Sequence, residues 1–426
     1  MDMSSLGRLK EEVGWHGISG LFSTEATLWM LGYYLFSLVL QTILPGQEVQ
    51  GVELASGGRL DYKFNAFPSA LIVLGAAGIG TMLQGADFAL WTFIWDNYVR
   101  LITANLGVAF AVATFVYVRS YQVQKGNQDK RELSLGGHTG NIIYDWFMGR
   151  ELNPRVNLPL FGSIDVKIFC ELRPGLLGWL LLDLAFIAHQ YKAYGKITDS
   201  IVFITLFQGL YVIDALYYET SILSTIDVIT DGFGFMLAFG DVVWLPFTYS
   251  LQTRYLAVYP LDMGIPGTAG CIAVVGFGYW IFRSANNEKA RFRENPKDPR
   301  IAHLKYIQTK TGSKLLTSGW WGTARHINYL GDWIMGWSYC LPTGIAGYYI
   351  ERSQLAAATN FDPDVVQGKA KGWGMIFTYF YILYFAILLI HRERRDDEKC
   401  ARKYGKDWEE YKKQRIAQEI EVVEDE

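Results

Sequence analysis

Nine apolar stretches recur along the chain, and they constrain its fold more than any other feature. Each is 17 to 24 residues long, and a helix of about 20 apolar residues crosses the roughly 30 Å hydrocarbon core of a bilayer. Half of the 426 residues are hydrophobic and only 19% are charged, which is too apolar for an ordinary soluble domain. The sequence therefore predicts an all-α polytopic membrane protein. The stretches cover residues 26–44, 67–84, 99–118, 175–191, 200–217, 233–250, 265–283, 327–350 and 372–390.

Some of these stretches contain a carboxylate that lipid would disfavour. The fourth, fifth and eighth contain Asp183, Asp214 and Asp332, respectively. An acidic side chain inside a membrane is costly and usually faces a polar interior or a functional cavity. Each of these three carboxylates is therefore a hint of a polar interior.

Three polar regions are rich in Lys and Arg: residues 119–167, residues 283–314 and the tail after Ile390. Cytosolic loops of membrane proteins carry such an excess. Four predicted helices separate the first region from the second, and two separate the second from the third, so all three fall on one side. We expect them to face the cytosol, with the N-terminus on the lumenal side.

The chain lacks the usual signatures of metal and nucleic-acid binding. Its six histidines show no HxxxH pattern, its four cysteines form no CxxC pair, and its net charge is −3. We therefore expect no metal site, no disulfide framework and no nucleic-acid partner.

Hydropathy and charge divide the chain into four parts. Residues 1–24 form a polar N-terminal segment, and residues 25–260 form the N-terminal transmembrane helices. Residues 261–411 form the C-terminal helices with the polar regions that carry the candidate site. Residues 412–426 read as an acidic, solvated tail.

Three polar clusters on the expected cytosolic side could bind a ligand. In residues 284–300, Lys289 and Arg293 stand one helical turn apart and could bind a phosphate. In residues 315–333, Trp and Tyr rings accompany Asn328, a mixture suited to a flat heterocycle. Residues 389–411 alternate acidic, basic and aromatic side chains. The alternatives are an ordinary basic loop, an interfacial aromatic belt and a lipid-binding patch, although Asp396, Asp397 and Glu398 would repel anionic lipid.

Sequence motifs in these clusters and in the central part of the chain resemble those of a known protein family. "LLTSGWWGTARHINYLGD" and "LIHRERRDDEKCARKYGKDWEEY" resemble the two C-terminal signatures of the membrane sterol reductases, and "GNIIYDWFMGRELNPR" resembles their central one. "GRELNPR" and "DVKIFCELRPGLLGW" are similar to the C-14 reductase branch, which includes the lamin B receptor. The match runs in order along most of the chain.

The resemblance implies an endoplasmic-reticulum membrane enzyme of about ten helices, with a cytosol-facing C-terminal pocket for NADPH and a sterol substrate. It implies reduction of a Δ14 sterol, by protonation at C15 and hydride delivery to C14. Carried over by motif, the cofactor-binding residues are Lys289, Arg293, Leu316, Trp321, Asn328, Tyr329, Asp396, Cys400, Ala401, Arg402, Lys403, Tyr404 and Tyr411.

An acid must protonate the double bond, because an unactivated C=C does not accept hydride alone. Tyr411 is a candidate donor by its motif position. The acids of residues 217–241 are further candidates, since acids in or near a membrane are functional suspects; among them are Glu219 and Asp241, with Asp227 and Asp231 beside them.

Three other functions remain open from the sequence. The chain could be a reductase of different specificity, such as a Δ7 reductase, although the residues around "GRELNPR" differ in that branch. It could be a membrane methyltransferase of the isoprenylcysteine type, although those enzymes are shorter and lack "GRELNPR". It could also be a non-catalytic scaffold that retains the reductase fold.

Overall fold

The computed structural model describes residues 17, 20–55, 57–123, 130–344, 348–351, 364–367 and 374–414. The chain divides into two compact units. Unit 1 comprises Met1–Asp262 with Gln367–Gly372, and unit 2 comprises Met263–Val366 with Trp373–Glu426. Most of the predicted N-terminal segment 1–24 and most of the predicted tail 412–426 lie outside the described residues, although residues 412–414 are helical.

Six helices of the described chain are long and apolar enough to cross a membrane. They coincide with six of the nine predicted stretches, so the prediction of a helical multi-pass membrane protein is confirmed. These helices span Thr24–Ile43, Ala66–Asp87 (its last three residues a 3-10 turn), Tyr98–Ser120, Asp199–Tyr217, Gly264–Glu294 and Gly374–Tyr404.

The stretches 175–191 and 233–250 are helical but irregular. The first matches the helix Gly178–Tyr194, which continues a π-helical segment, Glu171–Leu177, with Pro174 inside it. The second is divided into Phe235–Phe239, the π-helical segment Gly240–Trp244, and Leu245–Tyr249. A proline removes one backbone donor and disturbs the regular helical ladder.

The continuous helix predicted over 327–350 is wrong. Ile327–Trp337 is helical, and a 3-10 turn follows at Leu341–Thr343. Eleven residues of helix extend only about 16 Å, roughly half of a hydrocarbon core. Pro342 and the left-handed Gly344 (φ 60°) stop the helix from continuing, and residues 345–347 lie outside the described residues.

In unit 1, two antiparallel strand pairs accompany the helices, Gln47–Glu53 with Arg59–Phe64 and Arg155–Leu158 with Gly162–Asp165, and unit 2 has the pair Tyr306–Gln308 with Lys314–Leu316. Unit 1 contains α1 Thr24–Ile43, β1 Gln47–Glu53, β2 Arg59–Phe64, α2 Ala66–Gln84, α3 Ala89–Asp96, α4 Tyr98–Ser120, α5 Ile142–Met148, β3 Arg155–Leu158, β4 Gly162–Asp165, α6 Val166–Cys170, α7 Gly178–Tyr194, α8 Asp199–Tyr217, α9 Ile226–Ile229, α10 Phe235–Phe239, α11 Leu245–Tyr249 and α12 Leu251–Val258. The later elements are α13 Gly264–Glu294, β5 Tyr306–Gln308, β6 Lys314–Leu316, α14 Trp320–Thr323, α15 Ile327–Trp337, β7 Tyr348–Glu351, β8 Asp364–Gln367 and α16 Gly374–Tyr404.

Contacts between loops show that the long elements of unit 1 run back and forth between two faces. At one face Lys192 pairs with Asp87 at 2.7 Å, and Lys196 pairs with Asp262 at 2.7 Å. At the other face Glu219 accepts a hydrogen bond from the backbone N–H of Ala66 at 2.8 Å. Because α2 begins at one face and ends at the other, the two sets of loops lie at opposite ends of this unit.

The "GRELNPR" loop is a packed structural element of unit 1. Gly149 has φ 92°, and a Cβ atom on Gly232 would lie 1.8 Å from the Gly149 carbonyl oxygen. Only glycine therefore fits at these two positions, where the two backbone segments meet. Glu151 accepts two hydrogen bonds from Arg131, at 2.8 and 2.7 Å. Asn153 donates to the carbonyl of Val228 at 3.1 Å. The loop therefore ties two distant parts of unit 1 together.

In unit 2, α13 and α15 pack backbone to backbone. A Cβ atom on Gly278 would lie 2.7 Å from the carbonyl oxygen of Gly331, and one on Gly331 would lie 2.7 Å from the amide of Phe282. Small residues allow such close approach between membrane helices. This contact fixes residues 315–333, the Trp-rich stretch, against the basic end of α13, which carries Lys289 and Arg293.

Candidate cofactor site

The Trp-rich stretch is anchored on α13 by two hydrogen bonds. Glu288 accepts from the backbone N–H of Trp320 at 2.9 Å, and the indole of Trp321 donates to the carbonyl of Ala285 at 2.8 Å. Gly319 has φ 68°, and a Cβ atom there would lie 2.6 Å from a Glu288 carboxylate oxygen. The short helix α14 is therefore held at its N-terminus by an acidic side chain from a neighbouring helix.

Lys289 lies against the face of Trp321. Its ammonium nitrogen is 3.8 Å from the ring centroid, a cation–π contact. Arg293, one turn further along α13, is exposed, and Asp396, on α16, is close enough for its charge to act on Lys289. The predicted pair of cations thus borders residues of both other predicted clusters.

Asn328 has a buried acceptor with no partner. Its amide nitrogen contacts the Asn286 side-chain oxygen at 3.5 Å, while its own side-chain oxygen is buried without a hydrogen bond. Buried polar atoms are nearly always paired, so an unpaired one calls for an explanation. A ligand with an N–H donor, such as a carboxamide, would satisfy this oxygen.

Tyr329 and His326 form a stacked pair beside Asp396. The rings lie 4.6 Å apart and nearly parallel, and the Tyr329 hydroxyl donates to Asp396 at 2.8 Å. Burial, with the nearby Arg325 charge, lowers the pKa of the His326 imidazole to about 4, so this ring is neutral near pH 7. Burial and the bond to Asp396 raise the pKa of Tyr329, which therefore stays protonated.

The predicted residues near the end of α16 are mostly exposed. Cys400 and Tyr404 are partly buried, whereas Ala401, Arg402 and Lys403 face solvent. The Lys403 ammonium lies 5.0 Å from the Tyr404 ring centroid. These side chains leave charged groups available to a polar ligand.

Leu316, Trp321 and Tyr411 are buried. Leu316 and Trp321 belong to one apolar cluster with Phe292, while Tyr411, only 4% exposed, stacks on Trp408 at 5.0 Å. Leu316 can contribute packing only, because its side chain has no polar atom. Tyr411 also carries a hydroxyl, which a proton donor requires.

Two candidate acids, Glu219 and Asp241, lie in unit 1. Glu219 accepts from the backbone N–H groups of Ala66 and Phe67, at 2.8 and 3.4 Å, and so caps α2. Burial raises the pKa of Glu219, while the two N–H groups and Arg173 oppose the rise. Because both carboxylate oxygens accept backbone bonds, this side chain has a clear structural role.

Asp241 is placed differently. It lies in the π-helical segment Gly240–Trp244, is 8% exposed, and has one carboxylate oxygen that is buried without a hydrogen-bond partner. π-Helical turns are frequent at functional sites. Of the two unit 1 acids, Asp241 is the better candidate proton donor.

Sequence reasoning passed over several residues that the structure places around the predicted ones. Arg325 bonds to Asp397 at 2.6 Å, and Arg392 lies 5.6 Å from the Tyr329 ring. Glu288 and Asn286 come from the same helix as Lys289. A weak signal existed, because oppositely charged residues occur in two separate aromatic-rich motifs, but nothing in the sequence indicates which of them pair.

Comparisons with known proteins cover nearly the whole chain. The profile of the "Ergosterol biosynthesis ERG4/ERG24 family" matches residues 3–420. A Delta(14)-sterol reductase of Aspergillus fumigatus is 60% identical over 419 residues, which are 96% of this chain and 81% of the relative. A Delta(14)-sterol reductase of Neurospora crassa is 60% identical over 414 residues, covering 96% and 84%. One of Schizosaccharomyces pombe is 45% identical over 393 residues, covering 92% and 83%.

Proposed function

Because this chain belongs to the ergosterol biosynthesis ERG4/ERG24 family, we propose that it is a Δ14-sterol reductase that uses NADPH to saturate the C14=C15 double bond of a sterol intermediate. The observation that carries the proposal is the similarity to Delta(14)-sterol reductases, at 45 to 60% identity over 92 to 96% of the chain. The membrane-spanning helices suit a substrate that partitions into lipid.

The polar clusters of unit 2 support NADPH as the reductant, which supplies a hydride when bound. Lys289, Arg293, Arg402 and Lys403 would neutralise its phosphates, since charge-assisted bonds to phosphate are strong. The unpaired oxygen of Asn328 would accept from the carboxamide of the nicotinamide. The stacked rings of His326 and Tyr329 offer aromatic faces, and His326 is neutral, so it adds no charge.

The chain must also provide a proton, because C14=C15 has no carbonyl to polarise it. A general acid would protonate C15, and the resulting cation at C14 would accept the hydride. Tyr411 is our first candidate, since a phenol O–H can donate a proton and brings no charge into an apolar cavity. Asp241, with its unpaired buried oxygen, is the second.

The proposal includes the cellular membrane and the orientation of the enzyme in it. We place the enzyme in the endoplasmic reticulum membrane with the cofactor residues facing the cytosol, where NADPH is available. Support comes from the three Lys- and Arg-rich regions on one side of the predicted topology.

The test is complementation. Cells that lack C-14 reductase accumulate Δ14 sterols, and expression of this chain should remove them, as measured by sterol profiling. Persistence of Δ14 sterols despite a stable, membrane-inserted protein would refute the assignment. Loss of a Δ7 sterol instead would identify the other specificity.

Ligand binding separates the remaining alternatives. NADPH should raise the thermal midpoint of the detergent-solubilised protein, because a ligand that binds only the folded state stabilises it. Protection by S-adenosylmethionine would indicate the methyltransferase. Protection by neither would indicate the scaffold.

A further inference from the structure

Asp397 is a junction between the two C-terminal motifs of unit 2. One of its carboxylate oxygens accepts from the Arg325 guanidinium at 2.6 Å and from the Trp408 indole at 2.9 Å, and it lies 3.5 Å from the Lys412 ammonium. Arg325 belongs to the Trp-rich stretch, and Trp408 to the helical residues 406–414. A single side chain on α16 therefore ties three segments together.

Arg325 makes two further contacts that stabilise this junction. Arg325 also forms an ion pair with Glu393, one turn before Asp397 on α16. Its guanidinium lies 5.7 Å from the Trp408 ring centroid. Charge-assisted and forked bonds of this kind restrict geometry more than neutral ones do.

Trp408 passes this restraint on to Tyr411. The two rings are stacked, with centroids 5.0 Å apart and planes 16° from parallel, and both side chains are 4% exposed. Because the indole nitrogen is bonded to Asp397, the Trp408 ring cannot turn freely. The Tyr411 ring rests on a face whose orientation is set by Asp397.

We propose that Arg325, Asp397 and Trp408 form a clamp that positions the Tyr411 hydroxyl for reaction. The clamp rests on the proposed reductase function, in which Tyr411 acts on the sterol or the cofactor. Its three members are positioning residues that act through Tyr411. Small displacements of a reacting group reduce rates strongly, by as much as about 100-fold for roughly 1 Å.

Two conservative variants test the clamp in the full-length, purified protein. Trp408→Phe keeps a ring beneath Tyr411 but cannot donate to Asp397, and Asp397→Asn keeps the shape but removes the charge. Each should lower kcat about 10- to 100-fold, with the NADPH dissociation constant within about twofold of wild type and a thermal midpoint lowered by only a few degrees. Glu410→Gln removes an exposed carboxylate from the same helical segment and should leave kcat unchanged.

A double-mutant cycle distinguishes positioning from general structural support. If the clamp acts through the hydroxyl, Trp408→Phe should cause no further loss of kcat in a Tyr411→Phe background. Arg325→Lys, which keeps the charge, should retain more kcat than Arg325→Met. Wild-type kcat in both conservative variants, or losses that multiply in the cycle, would overturn the clamp.

A second readout does not depend on turnover. Trypsin should cleave at Lys406, Lys412 and Lys413 faster in Trp408→Phe and Asp397→Asn than in wild type or Glu410→Gln, because the clamp holds this segment. Unchanged cleavage would overturn the clamp even if the protein proved inactive on Δ14 sterols. Inactivity of the wild type with clamp-dependent cleavage would instead refute the proposed function alone.

Discussion

Lys289 and Arg293 are the single residues that most directly test the cofactor assignment. Both are basic, one turn apart on α13, and Lys289 is oriented by the Trp321 ring. Because a hydrogen bond to a charged group contributes about 1.5 to 3 kcal/mol, replacing both with Ala should raise the NADPH dissociation constant at least about tenfold. Sterol binding should change little.

Arg291→Ala is the matched control for that double variant. Arg291 is exposed on the same helix and lies outside the predicted site. Its substitution removes a positive charge of the same kind. Titration of the purified protein with NADPH would compare the three proteins. Equal affinity in the double variant and the control would exclude this end of α13 from the site.

Asn328 tests the nicotinamide side of the pocket. Its side-chain oxygen is buried without a partner, so Asn328→Ala removes an acceptor that the folded protein itself does not use. We expect the thermal midpoint without ligand to change little, while NADPH binding weakens by roughly the 0.5 to 1.5 kcal/mol of one hydrogen bond. Calorimetry of both quantities checks this, and unchanged affinity would contradict it.

His326 predicts a pH dependence of stability. Its pKa is lowered to about 4 in the folded chain from about 6.5 when unfolded, so the unfolded state binds the proton more readily. The stabilisation is complete above about pH 6.5 and is lost as the pH falls towards 4. Between pH 7 and pH 5, the thermal midpoint of His326→Asn should therefore fall less than that of wild type. Parallel curves for the two proteins would contradict the assignment.

At the scale of elements, hydropathy succeeds where a helix is long, regular and apolar, and fails elsewhere for identifiable reasons. The six long helices meet that condition. The segment after Trp337 is apolar, but Pro342 and Gly344 end the helix there. Mean hydropathy is averaged over many residues, so it does not detect the single turn at which a helix ends. The π-helical segments depend on tertiary packing, which no local pattern specifies.

The contact between α13 and α15 is an element-scale prediction with an internal control. A Cβ atom on Gly278 would lie 2.7 Å from the Gly331 carbonyl, whereas one on Gly276 would meet nothing within 4 Å. Gly278→Ala should separate the helices and lower both the thermal midpoint and NADPH affinity. Gly276→Ala should be neutral, or stabilising by up to about 1 kcal/mol from helix propensity. The prediction fails if the two variants behave alike.

The candidate site was predictable from sequence in part, and the limit is again physical. Spacing along one helix pairs Lys289 with Arg293, and local chemistry marks Asn328 and Tyr329 as polar groups among aromatic residues. Which carboxylate meets which cation depends on how α13, α15 and α16 pack. For this reason the sequence identifies Asp397 only as a charge that repels anionic lipid, whereas in the structure it bonds to Arg325 and Trp408.

At the scale of the whole molecule, charge and loop contacts together predict which end of unit 1 faces the cytosol. Asp87, Lys192, Lys196 and Asp262 form ion pairs at one end. Lys130 lies at the other, 3.9 Å from Asp61, within the Lys- and Arg-rich loop that positive-inside topology assigns to the cytosol. The orientation of the enzyme is therefore open to direct test.

Single cysteines at these positions should report that orientation in sealed microsomes whose cytosolic face points outward. Cys170, Cys271 and Cys340 are buried, so Cys400→Ser supplies a quiet background. An impermeant maleimide should label Lys130→Cys in intact vesicles, because this exposed side chain lies on the basic face. Asp87→Cys and Lys196→Cys, which are exposed at the opposite end, should be labelled only after detergent opens the vesicles. Labelling in the reverse order would invert the topology and would place the basic loops in the lumen, away from cytosolic NADPH.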